Sequence, residues 1–266
     1  MTNLPHEASR RLAERLGVTA NLCEVVRTSQ ISKSLYEAVL RGNAMTLAGE
    51  PGNDVMIRLG EAQGEMIYRR YSVRGFDDLK DEFTLWITVD HEGPGSYWVQ
   101  SARPGDLVEI VGPRGKILLV RSADWHLFAG DTSGLAAFYR LAQCIDVPGR
   151  AIFLVEINAA NDAMEGNFDS GLEVTSIFID RAGRSTGDSS GLLGGLANFA
   201  FPPERGHAYL FGEFHVVREL RKELLVRGLE SEQISHKAFW RSKRRNENRG
   251  EPDKSEPLDA PSRGHA

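Results

Sequence analysis

The chain has 266 residues, of which 41% are hydrophobic and 26% are charged, and its formal net charge at pH 7 is −5. The length and composition predict a folded protein of one large or two modest domains, and the negative charge argues against general nucleic-acid binding. No apolar run approaches the roughly 20 residues of a membrane span, and none forms a secretory signal. The 2 cysteines lie far apart in sequence, so we expect neither a disulfide framework nor a thiolate metal site, and we expect a cytoplasmic protein.

Apolar residues recur at helical spacing between His6 and Leu16, which predicts a short amphipathic helix in an N-terminal extension covering residues 1–20. Residues 21–122 instead contain short, partly alternating apolar segments separated by Gly, Pro, Asn and Asp. The segments are "NLCEVVRTSQI", "DVMIRLG", "EMIYRRYSVR", "FTLWITVD", "DLVEIVG" and "KILLV". They predict an antiparallel β-barrel of about six strands, closed so that its edges are hidden.

Strands alternate with helices in residues 123–242. Segments typical of buried strands are "HLFAG", "AIFLVEIN", "EVTSIFID" and "HAYLFGEF", and helical patterns occur in "DTSGLAAFYRLAQCI", "GLLGGLANF" and "HVVRELRKELLVRGL". This alternation predicts an α/β domain whose parallel sheet binds ligands at its carboxyl edge. Residues 243–266 contain no aromatic residue and hardly an aliphatic one, so we expect a disordered tail.

The stretch "RRYSVR", residues 69–74, places three arginines around one tyrosine and one serine. On a strand, Arg70, Ser72 and Arg74 face one way and the residues between them face the other. A tyrosine ring can stack on a planar ligand, a guanidinium can bind phosphate oxygens, and a hydroxyl can donate or accept a hydrogen bond. By itself, however, the stretch is more typical of an exposed, arginine-rich edge strand than of a binding site.

Three further motifs place polar groups where a nucleotide could bind. In "HEGPGSYW", Gly93 and Gly95 allow close approach to the backbone. "GDTSGLAAF" follows a strand and begins a helix, so backbone N–H groups lie at the positive end of a helix dipole. "ISHKAFWRSKRR" combines aromatic and basic residues. Each motif also has an ordinary interpretation, respectively a hairpin turn, a capped helix and the basic start of a tail.

A β-barrel followed by an α/β domain, with Arg-x-Tyr-Ser on a barrel strand, resembles the ferredoxin-reductase-like flavoproteins. More narrowly, the chain is similar to the siderophore-interacting protein family of ferric-siderophore reductases, from about residue 25 to residue 241. The matching pieces, in chain order, are "RRYSVR", "HEGPGSYWVQSARPGDLVEIVGPRG", "AGDTSGLAAFYRLA", "LFGEFHVVRELRKEL" and "AFWR". Their order and spacing carry more weight than any single piece.

The resemblance implies FAD as the cofactor. It implies that Tyr71 packs against the isoalloxazine ring, that Ser72 bonds near its N5–O4 edge, and that Trp240 covers the ring, which makes these three the catalytic candidates. Arg69 would neutralise the pyrophosphate. The full set of implied cofactor-binding residues is Arg69, Tyr71, Ser72, Val73, His91, Gly95, Ser96, Asp131, Thr132, Ser133 and Glu213.

The resemblance further implies a cytoplasmic, monomeric reductase that passes electrons from NAD(P)H or ferredoxin through FAD to Fe(III) in a ferric siderophore, releasing Fe(II). Lys237, Arg241 and Lys243 belong to a basic patch that would hold an anionic chelate electrostatically. No spacing of His, Asp and Glu calls for a protein-bound metal. The nicotinamide type stays open, because Glu156 would suit a ribose diol (NADH) whereas Arg181 would suit a 2′-phosphate (NADPH).

The chain departs from the family pattern at several positions. Ile87 stands where an Asp is usual, Thr132 replaces a Glu, and Ala238 and Phe239 replace Gly-Tyr. Two alternatives therefore stay open. One is a flavin-dependent electron-transfer reductase with another acceptor, and the other is a degenerate member that binds a ferric chelate without turnover.

Overall fold

The computed structural model describes residues 4–62 and 64–242, and its first half is a closed barrel with strand order β1-β2-β5-β4-β3-β6. Every pair of neighbouring strands is antiparallel, which confirms the predicted barrel. The elements are α1 (Glu7–Leu16), β1 (Thr19–Gln30), β2 (Leu35–Arg41), α2 (Ala44–Ala48), β3 (Asp54–Ala62), β4 (Glu65–Asp77), β5 (Glu82–Thr88), α3 (Pro94–Ser101) and β6 (Leu107–Arg114).

One predicted barrel segment was assigned wrongly, and one barrel strand was missed. "LYEAVLR" forms β2, which we did not predict, whereas "KILLV" follows the barrel and forms no strand. Ile117 and Leu119 of that segment pack against the core of the second domain, and the Val120 N–H donates to Tyr209 Oη at 2.7 Å. The segment is a half-buried connection in which only part of the apolar surface packs on the second domain, and a short apolar run has the same pattern in a strand and in such a connection.

The second half is a five-stranded parallel sheet of order β11-β10-β7-β8-β9, which confirms the predicted α/β domain. Its elements are β7 (Trp125–Asp131), α4 (Leu135–Ala142), β8 (Gly149–Ile157), β9 (Leu172–Asp180), α5 (Ser190–Ala197), β10 (Gly206–Glu213), α6 (Phe214–Val226) and β11 (Ile234–Trp240). We had not predicted β11. None of the described helices is long and apolar enough to cross a membrane. The predicted tail lies outside the described residues.

The turn between β1 and β2 is bonded to the second domain through one buried carboxylate. Asp162, which is 0% exposed, accepts hydrogen bonds from the Ser32 and Ser34 hydroxyls at 2.6 and 2.7 Å and from the Ser34 N–H at 3.0 Å. It also accepts from the Ala159 N–H at 3.1 Å. Leu35, at the start of β2, packs into the core of the α/β domain. The barrel and the sheet are thus joined by both polar and apolar contacts.

Two buried histidines lie side by side at the amino edge of the parallel sheet. His126 on β7 and His207 on β10 are paired in register and only 1% and 4% exposed. Burial lowers the pKa of each to about 4, so both are neutral in the folded protein near neutral pH. The unfolded chain binds protons near the ordinary pKa, so stability is lost as pH falls from about 6.5 towards 4.

We therefore expect the free energy of unfolding to fall by about 1 kcal/mol per histidine between pH 7 and pH 5.5. Urea unfolding at a series of pH values measures this loss. His126→Phe should remove about half of the pH dependence in this range, because phenylalanine keeps a ring beside Phe128 and Tyr209 without binding a proton. An unchanged pH dependence in this variant would show that other groups cause it.

Candidate active site

Strand β4 carries the "RRYSVR" motif along the boundary between the two domains. Tyr71 and Val73 pack against the barrel core, whereas Ser72 faces a small cavity of about 30 Å³ at the domain boundary. Phe211 and Phe239 of the second domain line the same cavity. The alternation predicted for this strand therefore separates the tyrosine from the serine as expected.

The amino end of α3 lies directly against the Tyr71 phenol. A Cβ atom added to Gly95 would lie 1.7 Å from Tyr71 Oη, so only glycine fits at this position of the first helical turn. No side chain caps this end of the eight-residue helix, which leaves its first N–H groups directed at whatever lies beyond them. Burial raises the pKa of the Tyr71 phenol above its usual range, and the nearby charge of Arg69 partly opposes this rise.

These features fit a planar cofactor with a phosphorylated arm. The Tyr71 ring offers a flat face, and the uncapped helix end and the Arg69 guanidinium suit phosphate oxygens. Within residues 4–62 and 64–242, the Ser72 hydroxyl makes no hydrogen bond, so it is available to a ligand in the cavity that it lines. Tyr71, Ser72, Arg69 and Gly95 are the residues that would hold FAD.

Asp54 forms the polar wall of the cavity beside Ser72. The two residues face each other across β3 and β4. The Asp54 carboxylate accepts from Arg70 Nε at 2.9 Å and from Lys237 Nζ, on β11, at 3.1 Å. Burial alone would raise the pKa of Asp54, but the charges of Lys237 and Arg70 hold it below its usual value. Sequence reasoning missed Asp54, because its importance depends on a strand register that no local motif reveals.

Asp131, at the carboxyl end of β7, holds three segments together. One carboxylate oxygen accepts from the Ser133 N–H at 2.9 Å and from the Ser133 hydroxyl at 2.5 Å. The other accepts from the Glu213 N–H at 2.8 Å and from Trp240 Nε1 at 3.1 Å. Burial raises the pKa of Asp131, and these bonds only partly offset the rise. Of the residues predicted to meet the nicotinamide nucleotide, Asp131, Ser133 and Glu213 do converge, together with Trp240.

Glu213 acts as the N-cap of α6. Its side chain accepts from the N–H groups of His215 and Val216 at 2.5 and 3.1 Å, and its other oxygen accepts from the Ser242 N–H at 3.0 Å. The carboxylate therefore fixes the segment that follows Trp240. It positions the site and has little capacity left to bind a ligand directly.

Trp240 lies parallel to the imidazole of His91, with ring centroids 6.4 Å apart and planes 9° apart. His91 Nδ1 is 2.9 Å from Asp90 Oδ1, and this hydrogen bond raises the pKa of His91. Ile87, which stands where the family has an acid, is buried in the barrel core. Asp90, which we did not predict, instead supplies a carboxylate next to His91.

Three predicted cofactor contacts have other roles in the structure. The Val73 side chain is buried in the barrel core and its N–H donates to the Asn53 carbonyl at 3.0 Å, so neither group is directed at a ligand. The buried Ser96 hydroxyl accepts from Gln100 Nε2 at 3.0 Å, and its O–H keeps the capacity to donate. Thr132 is buried in the turn after β7.

The predicted basic patch is only partly assembled. Lys237 reaches the cavity beside Ser72, but it is ion-paired to Asp54. Arg241 is only 7% exposed, and its guanidinium lies 4.4 Å from the centre of the Phe214 ring, so it is not presented to a bulky chelate as we had predicted. Lys243 lies outside the described residues.

At the carboxyl edge of β8 and β9, the two residues that suggested different nicotinamide types, Glu156 and Arg181, are ion-paired to each other. The Glu156 side chain is 3% exposed and accepts from Arg181 Nε at 2.8 Å and from Arg184 Nη2 at 3.2 Å. A carboxylate held by two guanidiniums is a poor acceptor for a ribose diol. Within the described part of the chain, both Nη groups of Arg181 lack a hydrogen-bond partner.

Comparison with known families agrees with this geometry. Residues 60–117 match the family model for the siderophore-interacting FAD-binding domain, and residues 123–243 match the model for the siderophore-interacting protein. The chain belongs to the siderophore-interacting protein family. The matched FAD-binding domain contains Tyr71, Ser72 and Gly95, three of the residues that would hold FAD. The Tyr71 ring and the first turn of α3 together are called the cradle below.

Solved structures and curated relatives extend this assignment. A siderophore utilization protein from T. fusca has a TM-score of 0.75 and 25% identity, over 87% of this chain and 96% of that one. The siderophore-interacting protein from Acinetobacter baumannii has a TM-score of 0.74 and 16% identity, over 86% and 92% of the two chains. The electron transfer subunit of dihydroorotate dehydrogenase B from Bacillus cereus is 30% identical over 128 residues. The chain spans about half the length (49%) of that curated relative.

Proposed function

We propose that this siderophore-interacting protein is a cytoplasmic reductase that passes electrons from NADPH through FAD to Fe(III) in a ferric siderophore and releases Fe(II). The observation that carries the proposal is the cradle formed by Tyr71 and the uncapped start of α3, which lies in the family's FAD-binding domain. When bound, FAD would supply the redox chemistry that links a two-electron nicotinamide donor to the one-electron reduction of iron.

The protein's own residues position the reactants in this scheme. Tyr71 provides the stacking face, Ser72 offers a hydroxyl that no described residue bonds, and Arg69 with the first turn of α3 binds the phosphorylated arm. Asp131 holds the Trp240 indole over the same edge of the sheet through Nε1. Within the described residues, no group of three or more His, Cys, Asp or Glu side chains could hold a metal ion, so the iron is treated as bound by its chelator.

The proposed donor is NADPH, because the edge that follows β8 and β9 is cationic. Arg181 and Arg184 both contact Glu156, and Arg181 keeps two Nη groups for a 2′-phosphate. We expect Arg181→Gln to raise the KM for NADPH by about tenfold, the effect of one charge-assisted hydrogen bond, and to leave the KM for NADH nearly unchanged.

Steady-state kinetics with both nucleotides measure this preference. Arg150→Gln is the matched control, since Arg150 pairs with the exposed Glu173 at the opposite end of β8 and β9. Equal effects of Arg181→Gln on both nucleotides would contradict a 2′-phosphate contact.

Anaerobic absorbance spectroscopy tests the function as a whole. NADPH should bleach the flavin band of the purified holoprotein, and a ferric siderophore added with an Fe(II) trap should restore the band while the trapped Fe(II) accumulates. Failure of NADPH with success of reduced ferredoxin would reassign the donor. A bleached flavin that ferric chelates cannot reoxidise would reject the proposed acceptor.

A second candidate is an electron-transfer subunit that serves a protein partner. It is favoured by the 30% identity to the dihydroorotate dehydrogenase B electron transfer subunit over 128 residues. Comparison of reoxidation rates with ferric chelates, quinones and free flavin separates the two, because a ferric-siderophore reductase should react fastest with the chelate.

A further inference from the structure

The third arginine of the "RRYSVR" motif lies outside the proposed flavin site. Arg74 faces the α/β domain, with its guanidinium 4.8 Å from the centre of the Trp86 ring and 5.5 Å from that of Tyr139. Its Nη1 donates to Gln143 Oε1 at 2.8 Å. Its Nε is buried and has no hydrogen-bond partner among the residues that the structure describes. A buried donor without an acceptor is costly unless a ligand or water completes it.

Arg140, on α4, repeats this arrangement from the other domain. Its guanidinium lies 5.2 Å from the centre of the Phe76 ring, and one Nη group donates to the Gly49 carbonyl at 3.2 Å. Its Nε is also buried without a partner. In the described part of the chain, neither Arg74 nor Arg140 forms an ion pair. Burial lowers the pKa of Arg74, and the positive charge of Arg140 lowers it further.

Both arginines line an open cleft of about 420 Å³ between the barrel wall and α4. The carboxylates that line it already have cationic partners. These pairs are Arg27–Glu37 at 3.0 Å, Arg41–Glu82 at 2.6 Å and Lys80–Asp77 at 2.6 Å. The cleft therefore has two uncompensated guanidiniums, and its volume lies within the range of small-molecule sites.

We propose that this cleft is a binding site for a small molecule with a carboxylate or phosphate group, held between Arg74 of the barrel and Arg140 of the α/β domain. A guanidinium presents its N–H donors as a planar fork that matches either oxyanion. Trp86 and Phe76 provide apolar walls for the rest of the molecule. Because the two arginines come from different domains, the bound anion connects them, and the site is separate from the Ser72 cavity.

Thermal unfolding and calorimetric titration of the full-length protein test the site, with inorganic phosphate, malonate and chloride at matched ionic strength. Phosphate or malonate should raise the Tm more than chloride does. The anion with the larger shift identifies the preferred oxyanion. Arg140→Gln should weaken its binding by about tenfold or more, and Arg140→Lys should retain only part of the affinity.

Arg27→Gln combined with Glu37→Gln is the matched control, since it removes a cation of the same cleft together with the carboxylate that pairs with it. This variant should bind the anion about as the unsubstituted protein does. The flavin absorbance of all variants should be unchanged, which keeps this result independent of the proposed redox function. Equal Tm shifts with chloride, or undiminished anion binding by both Arg140 variants, would overturn the proposal.

Discussion

Gly95→Ala will weaken FAD binding by roughly tenfold to a hundredfold, the range that corresponds to about 1–3 kcal/mol of overpacking. The added methyl group would lie 1.7 Å from Tyr71 Oη and 3.0 Å from Tyr71 Cζ, so either the ring or the start of α3 must move. Both of these groups belong to the cradle proposed for FAD. Titration of the apoprotein with FAD, followed by flavin fluorescence, measures the change in Kd.

Two variants make this result specific. Gly93→Ala adds a methyl group to the same turn, but its nearest neighbour would be His91 Cδ2 at 3.9 Å and its backbone is extended, so the Kd should change far less. Adding Tyr71→Phe to Gly95→Ala removes the clashing oxygen and should restore part of the affinity. If Gly95→Ala binds FAD as tightly as the unsubstituted protein, the cradle is not where the cofactor lies.

Asp162→Ala will lower the free energy of unfolding by about 3–5 kcal/mol, the cost expected when a fully buried charged acceptor is removed from its donors. Four donors lose their acceptor, namely the hydroxyls of Ser32 and Ser34 and the N–H groups of Ser34 and Ala159. The hydrogen bonds that are lost include those between the β1–β2 turn and the second domain. Urea unfolding monitored by circular dichroism measures the loss of stability.

Ser34→Ala is the matched control for Asp162→Ala. It removes one hydroxyl donor and leaves Asp162 with three hydrogen bonds, so we expect a loss of about 1 kcal/mol. If Asp162→Ala costs no more than Ser34→Ala, the carboxylate does not hold the domains together in the way its hydrogen bonds indicate.

Local sequence patterns predicted the architecture and the faces of β4, because apolar periodicity directly reflects burial. The alternation in "RRYSVR" separates Tyr71 from Ser72 as expected, and the alternation of strands and helices predicted the parallel sheet. "LYEAVLR" was missed and "KILLV" misassigned, since short apolar runs have the same pattern in strands and in buried connections.

The partners of the polar residues could not be predicted in this way. Asp54 meets Ser72 through the register of β3 and β4, and it meets Lys237, 183 positions away, through domain packing. Likewise, "GDTSG" predicted a turn with free N–H groups, but the Asp131 carboxylate is bonded to Trp240, which lies 109 positions away. Local composition shows which residues are polar, whereas the tertiary fold determines which of them remain available to a ligand.

Three carboxylates at separate points join the barrel to the α/β domain. Asp54 is bonded to Lys237, Asp162 to the turn after β1, and Asp90 accepts from Asn158 Nδ2 at 2.5 Å. Hinge opening requires these three contacts to break together with the Arg74–Gln143 and Arg140–Gly49 hydrogen bonds. Nucleotide exchange should then depend on side-chain rotation, such as release of Trp240 from Asp131, rather than on domain motion, which takes microseconds to milliseconds. We expect turnover to be limited by electron transfer instead of by opening of the molecule.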